Sequence, residues 1–185
     1  MLELLPTKGK LLIADPSLND QAFGRSVILL TEHNENGSVG FILNKPLGFS
    51  LQDLLPEVNF DSEVYNGGPV EQDSLYFVHK VPELIPDSVE ISNGIYWGGD
   101  FNIVKELINS GKISSDSIKF FLGYSGWSAK QLLNELKEDS WLISKQAGDK
   151  SLFMLKAKTL WKNQMNSLGG KYKLWANAPF DPSLN

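Results

Sequence analysis

A serine between glycines is the side chain of this sequence best suited to act as a nucleophile. Ser125 lies in the run GYSGW at residues 123–127, and His33 or His79 could serve as its general base. Hydrolases of the α/β class place such a serine at a strand-to-helix turn with the pattern G-x-S-x-G. Here Trp127 stands where the second glycine would relieve crowding. We therefore interpret Ser125 as a small residue required by turn packing, and a hydrolase using Ser125 with one histidine stays as the alternative.

Few other groups are suited to catalysis or metal binding. The chain has no cysteine, which excludes disulfides, thiolate chemistry and cysteine-ligated metals. Its two histidines leave little for an imidazole metal site. His33 lies near the end of a predicted hairpin and His79 at the end of an apolar run, so we interpret both as structural histidines that are hydrogen-bonded at sheet ends. We expect no metal and no cofactor.

Candidates for binding come from turns and from the aromatic residues beside Ser125. They are Asn44, Gly67, Gly68, Gly98, Gly99, Tyr124 and Trp127. The two glycine pairs could form backbone nests for an anion, although such pairs more often mark turns, and neither belongs to a G-x-G-x-x-G or Walker motif. The amide of Asn44 could bridge neighbouring turns, as such side chains commonly do.

The stretch at residues 118–136 must position Ser125 and its neighbours. The apolar run Ile118 to Leu122 predicts a buried strand. Gly123 and Gly126 then predict a sharp turn, because glycines break such a run where the backbone changes direction.

A helix is predicted to follow this turn. Ser128 and Gln131 have the spacing of a capping box, in which each side chain bonds to the backbone of the other residue. Trp127 precedes the cap and can pack on Leu132 as a hydrophobic staple. Together these signals predict a strand-turn-helix corner with Trp127 locked beneath it.

Two hairpins are predicted from tight-turn dipeptides between apolar runs. Val27 to Thr31 and Val39 to Leu43 flank Asn36-Gly37, and a second hairpin surrounds Asn93-Gly94. Because the first two runs are continuously apolar, we expect them to lie centrally in a sheet with both faces covered.

Helices are predicted between the strands and near the carboxyl end. Ser50 and Asp100 are expected to cap helices over residues 51–55 and 103–109, and an apolar face at residues 160–168 predicts a third, ended by glycines. The tail at residues 171–185 is expected to be extended. Consecutive hairpins without a regular βαβ period indicate an α+β fold with a bent mixed, mostly antiparallel sheet and helices packed on it.

Length and charge set further bounds. A length of 185 residues favours a single domain over residues 1–185. No run of about 18 apolar residues and no secretory start is present, so we expect no membrane partner and a cytoplasmic location. Residues 141–175 hold seven lysines against Asp149 alone, a net charge of +6, which leaves −11 for the remainder of a chain of net charge −5. We expect the two regions to neutralise each other in the folded monomer.

Several of these segments occur together in one order. They are Leu12 to Pro16, Glu32-His33, Gly40 to Pro46, Gly67 to Val70, His79, and Gly123 to Trp127 followed by Gln131-Leu132. This pattern resembles the YqgE/AlgH family of bacterial proteins, and the resemblance runs from about residue 9 to about residue 170. It implies an α+β fold whose bent sheet closes into a pseudo-barrel. It also implies a family described as transcriptional regulators, with no established catalytic residues.

These observations favour a non-enzymatic binding or regulatory protein with an unidentified protein or small-molecule partner. The best-specified features are turn-forming glycines, prolines and tryptophans rather than paired titratable groups. Direct binding of nucleic acid is not expected, because the sequence has a pI of 5.1 and no helix-turn-helix or zinc-finger signal. The oligomeric state is left open.

Overall fold

The computed structural model describes residues 4–179, which form ten strands, five α-helices and one 3₁₀ helix. The strands are β1 Lys10–Ala14, β2 Val27–Asn34, β3 Gly37–Ile42, β4 Pro46–Ser50, β5 Glu63–Asn66, β6 Val70–His79, β7 Val89–Ser92, β8 Ile95–Trp97, β9 Ile118–Ser128 and β10 Trp141–Ala147. The α-helices are α1 Leu51–Leu54, α2 Phe101–Asn109, α3 Gln131–Lys137, α4 Ala157–Leu168 and α5 Lys171–Trp175, and the 3₁₀ helix is Lys150–Met154. Within this part of the chain no helix is both long and apolar enough to cross a membrane.

One mixed sheet organises these elements. Its main path runs β10-β1-β2-β3-β9-β6-β8-β7 with antiparallel pairing throughout, while β5 pairs in parallel with β9 and antiparallel with β4. The predicted α+β class, with a bent and mostly antiparallel sheet, is thus confirmed. β2 and β3 lie inside the path, as their continuously apolar sequences predict.

The sheet nearly closes into a barrel, as the family resemblance implies. Its two ends meet through side chains near residue 148. The Ser92 hydroxyl donates to the Gly148 carbonyl at 2.8 Å, and the Lys8 ammonium donates to the Glu90 carbonyl at 2.9 Å. Closure therefore depends on polar side chains at this corner rather than on a continuous ladder of backbone hydrogen bonds.

The longest strand, β9, corrects the predicted strand-turn-helix corner. It does not end at Leu122 but continues through both glycines to Ser128. One edge of β9 pairs with β6, and the other pairs first with β5 and then with β3. Gly123, with φ +71°, lies where the partner changes, and a Cβ there would meet the Gly68 carbonyl oxygen at 2.6 Å. The glycine permits close backbone approach inside a strand, which is a second role of glycine beside ending one.

The β2–β3 hairpin is confirmed, but its turn lies one residue earlier than predicted. Asn34 pairs with Gly37, so Glu35 and Asn36 form the loop. Gly37 is needed for a different reason: a Cβ there would meet the Trp127 carbonyl oxygen at 2.3 Å. The second hairpin is confirmed at Asn93-Gly94, where φ is +46° and +80°.

Two of the predicted helix starts match the structure and one differs. Ser50 and Asp100 precede α1 and α2 as predicted. α3 begins only at Gln131, after Lys130 at φ +65°. Half of the predicted capping box forms, because the Gln131 side chain accepts the Ser128 N–H at 2.9 Å while the Ser128 hydroxyl donates to that same oxygen at 3.3 Å.

The carboxyl end of the described chain is helical at α5, where the sequence predicts an extended tail. The Tyr172 N–H bonds to the Gly169 carbonyl at 3.2 Å, so the glycine stop of α4 also starts the next turn of helix. Trp175 is half exposed and does not pin the chain. Phe180, the other residue considered as an anchor of the tail, lies outside the described residues.

Buried side chains cover both faces of the sheet. On one face, α3 packs with Leu132 against Trp127 and Trp141. On the other, α4 inserts Trp161, whose indole N–H donates to the Ala14 carbonyl at 2.8 Å, and Met165. β10 is thus held between α3 on one face and α4 on the other.

Candidate functional site

Ser125 lies inside the sheet. It is fully buried and pairs with Gly40 across β9 and β3, and its hydroxyl donates to the Gly67 carbonyl at 3.0 Å. A nucleophile must be reachable by substrate and must face a base. The structure gives this hydroxyl a backbone partner instead, and it places Ser125 inside strand β9 rather than at the turn that the sequence predicts.

The two histidines make contacts away from Ser125. His33 Nδ1 lies 2.7 Å from the Ser38 hydroxyl, its cross-strand neighbour in the β2–β3 hairpin. His79 is fully buried, with Nε2 3.2 Å from the Gly98 carbonyl and Nδ1 3.3 Å from the Val81 N–H. These partners suit a neutral ring that donates from Nε2 and accepts at Nδ1. Burial lowers the pKa of His79, which also favours the neutral ring.

The first glycine pair makes hydrogen bonds within the protein. The Gly67 N–H donates to the Leu122 carbonyl at 2.8 Å, and the Gly68 N–H donates to the Asn66 side chain at 3.0 Å. A Cβ at Gly68 would meet the Tyr124 backbone at 2.2 Å. Because both amides already have partners, this turn offers no free donors to an anion.

The second glycine pair links β8 to α2. The Gly98 N–H donates to the Phe77 carbonyl at 3.1 Å, and the Gly98 carbonyl faces His79. A Cβ at Gly99 would meet the Ile85 side chain at 2.5 Å. Close packing therefore accounts for glycine at this position.

Asn44 forms the bridge that its sequence position suggested. Its Oδ1 accepts the Val27 N–H at 2.8 Å and its Nδ2 donates to the Arg25 carbonyl at 2.9 Å. The next side chain reaches the same loop, because the Lys45 ammonium donates to the Gly24 carbonyl at 2.8 Å. Both side chains attach the end of β3 to the start of β2.

Trp127 is buried and its partner is a residue that sequence reasoning missed. Its indole N–H donates to Glu135 Oε2 at 2.9 Å, and the indole N–H of Trp141 donates to the same oxygen at 2.8 Å. Gln131 holds the other carboxylate oxygen at 2.9 Å, and Phe23 packs against both indole rings. One carboxylate thus ties α3 to β9 and β10.

Tyr124 is the half-buried aromatic beside Ser125. Its ring meets Tyr76 edge-on at 5.8 Å between centroids. Partial burial and the neighbouring Glu71 raise the pKa of Tyr76 to about 12, so the Tyr76 ring is neutral at physiological pH. Within residues 4–179 no group of three histidine, aspartate or glutamate side chains is placed to hold a metal ion.

A groove of about 520 Å³ on the surface of the described chain is lined mostly by apolar side chains. We call it the β10 groove. It is formed by residues 4–6 and by residues 133, 136, 137, 141, 142, 143, 145, 168 and 172, which belong to α3, β10, α4 and α5. The amino-terminal residues 4–6 meet two pairs of neighbouring elements, α3 with β10 and α4 with α5, so no single local sequence motif marks the groove.

The open edge of β10 lies in this groove. Consecutive residues Trp141, Leu142 and Ile143 all line it, although their side chains point to opposite faces of the sheet. β10 ends the strand order and pairs only with β1 among the described strands. The groove is therefore a slot over a sheet edge, with α3 as one wall and the ends of α4 and α5 as the other.

Comparison with known proteins places this geometry in a family. A family model described as AlgH-like matches residues 11–173. The chain is 44% identical over 184 residues to UPF0301 protein BF2109 of Bacteroides fragilis, covering 98% of this chain and 93% of that protein. It is also 44% identical over 181 residues to a UPF0301 protein of Cytophaga hutchinsonii, covering 97% and 99%.

Two solved structures have a similar fold. The solution structure of AlgH from Pseudomonas aeruginosa matches with a TM-score of 0.71 and 28% identity, covering 97% of this chain and 98% of that one. The crystal structure of protein DIP2367 from Corynebacterium diphtheriae matches with a TM-score of 0.79 and 22% identity, covering 96% and 95%. The second likeness concerns the fold alone.

Proposed function

We propose that this chain, which belongs to the AlgH-like family, is a non-enzymatic binding protein that engages its partner through the β10 groove. The observation that carries the proposal is the exposure of leucines around this slot. Leu5 is 63% exposed and Leu133 is 38% exposed, and both line the same apolar surface. Contiguous exposed apolar surface on a soluble protein marks interaction sites.

The energetics favour covering this surface. Fully burying a leucine side chain stabilises a complex by about 1.5–3 kcal/mol, before the cost of association is subtracted. Several partly exposed apolar side chains in one slot can therefore supply a useful part of a binding free energy. A regulatory role for the chain would act through the partner bound there.

The alternative, a hydrolase that uses Ser125 as nucleophile, has no accessible nucleophile and no adjacent histidine among the described residues to support it. Ser125 is buried with its hydroxyl donated to Gly67, and each histidine is hydrogen-bonded elsewhere. Binding does not require any of these groups to be released from their partners.

Nile red, a neutral apolar dye, tests the proposed surface. We expect saturable fluorescence enhancement with the wild-type protein and loss of most of it in Leu133→Asp, which places a carboxylate in the slot. Val89→Asp is the matched control, because Val89 is 51% exposed on β7 and does not line the groove. Equal dye binding by all three proteins, with unchanged far-UV circular dichroism, would refute the β10 groove as the binding surface.

A further inference from the structure

We infer that the β10 groove receives an extended, acidic segment of a partner protein, which adds to the sheet as a strand beside β10. This inference rests on the proposed function and names the class of partner. Strand addition at an exposed sheet edge uses backbone hydrogen bonds for affinity and side-chain pockets for specificity. Three features of the groove support it: β10 backbone groups that have no strand partner among the described residues, apolar walls on both faces, and lysines at its rim.

The backbone of β10 presents hydrogen-bonding groups to the groove. The Asp15 N–H donates to the Ser140 carbonyl at 3.0 Å, so Ser140, and Leu142 two residues later, direct their backbone groups towards β1. Backbone groups of successive residues alternate between the two edges of an antiparallel strand. The N–H and C=O groups of Trp141 and Ile143 therefore face the open edge.

Apolar side chains stand on both sides of that edge. Trp141 and Ile143 belong to the apolar cluster beneath α3, whereas Leu142, Leu168 and Tyr172 pack against the apolar cluster on the opposite face. An added strand would project its side chains alternately towards these two walls. A run of consecutive apolar residues, rather than an alternating one, fits this slot.

Exposed apolar side chains also lie outside the groove, on one of the helices that form it. α5 contributes Tyr172 to the groove and carries Leu174 and Trp175, which are 79% and 50% exposed. A small apolar molecule seated in about 520 Å³ would leave these side chains in water. A polypeptide that continues past the slot can cover them.

Charge selects an acidic partner. Among the described residues that line the groove, the charged ones are Lys137 and Lys145, and both are exposed. Neither ammonium group has a hydrogen bond or ion pair with another described residue. Glu138 and Asp139 follow Lys137 in the chain but do not line the slot. A basic segment would bring like charges together, whereas carboxylates flanking an apolar run would meet these two lysines.

Fluorescence anisotropy with a labelled peptide tests the inference on the intact protein. The probe has five alternating valine and isoleucine residues flanked by two glutamates at each end. A second peptide carries lysines in place of the glutamates, and a third carries N-methyl groups on the amides of its apolar core. N-methylation removes the donors of a backbone ladder and leaves the side chains in place.

We expect the acidic peptide to bind more tightly than the lysine peptide, and N-methylation to weaken binding by at least about tenfold. The double substitution Lys137→Glu/Lys145→Glu should weaken binding of the acidic peptide by about fivefold at low salt. It should strengthen binding of the lysine peptide. Lys158→Glu/Lys162→Glu is the matched control, because it reverses two exposed lysines on α4 that do not line the groove.

Several results would overturn the inference. Equal binding of the methylated and unmethylated peptides would exclude strand addition, and equal binding of the acidic and lysine peptides would exclude charge selection. If the free protein sediments as a dimer and the peptide does not dissociate this dimer, the groove would be assigned to a second copy of the chain. Saturable dodecanoate binding that displaces the peptide and is lost in Lys137→Glu/Lys145→Glu would assign it to a fatty acid. If any of these results were obtained while Leu133→Asp still abolished Nile red binding, the β10 groove would remain the proposed binding surface. Only the inference that its partner is an added strand would be refuted.

Discussion

Removing the Glu135 carboxylate should destabilise the protein more than its position on a short, partly exposed helix suggests. In Glu135→Ala, the indole N–H groups of Trp127 and Trp141 lose the oxygen to which they donate at 2.9 and 2.8 Å. A hydrogen bond to a charged group contributes about 1.5–3 kcal/mol, and an unsatisfied buried donor costs about 1–3 kcal/mol. Since both donors share one acceptor, their losses are not additive, and we expect the free energy of unfolding to fall by about 2–4 kcal/mol.

Urea denaturation followed by far-UV circular dichroism measures this loss without relying on tryptophan emission, which the substitution itself would change. Glu135→Gln keeps a carbonyl acceptor but removes the charge, so its loss should be smaller, about 1 kcal/mol. Glu138→Ala is the matched control, because this exposed glutamate at the end of α3 should change stability by less than about 0.5 kcal/mol. A loss below about 1 kcal/mol in Glu135→Ala would refute the carboxylate as the attachment of α3 to the sheet.

Three further predictions concern the core, pH and charge. Trp127→Ala should lower the free energy of unfolding by about 3–5 kcal/mol in urea titrations, and a loss below about 1 kcal/mol would contradict its role as a core anchor. Burial lowers the pKa of His79 below its ordinary value of 6.5, so its contribution to stability is complete above pH 6.5 and is lost as the pH falls towards the folded-state pKa. His79→Gln should therefore show less loss of thermal stability than wild type between about pH 7 and about pH 5. The protein should not bind arbitrary duplex DNA in a mobility-shift titration at about 0.15 M salt, because the negative charge of the remainder of the chain repels DNA and opposes its attraction to the exposed lysines of α4 and α5. Submicromolar DNA binding that is abolished by replacing those lysines would contradict this prediction.

Local signals in the sequence were sufficient for much of the fold. The Asn93-Gly94 turn and the Ser50 and Asp100 caps depend on the chemistry of neighbouring residues, and each occurs where it was predicted. Gly123 was misinterpreted because glycine has two roles, ending a strand and admitting another backbone, and only the position of Gly68 decides between them. Local pattern cannot supply that position.

The candidate site was harder to predict for the same physical reason. From the sequence alone, Glu135 would be interpreted as an exposed glutamate on a helix. Its structural role arises because the fold brings the indole N–H groups of two tryptophans to one of its carboxylate oxygens. A spacing of four from Gln131 was the available signal, since residues four apart share a helix face. The β10 groove had no such signal, because its walls are separate helices. The sequence indicated Ser125 as a candidate because glycine-flanked serines are common nucleophiles, whereas no sequence pattern indicated the edge strand β10.

An open edge strand needs protection against pairing with a second copy, and the features that give β10 this protection also define its partner. Soluble proteins guard such edges with charged side chains, especially lysine, and with covering elements. Here α3 and α4 flank the edge, and Lys137 and Lys145 stand at its rim. A second copy would bring the same lysines to the contact, and like charges brought together oppose association. A partner with carboxylates on either side of an apolar run meets the opposite charge and the same outward-facing backbone groups of β10. Under the strand-addition model, the lysines thus act twice, against self-association and in favour of an acidic strand.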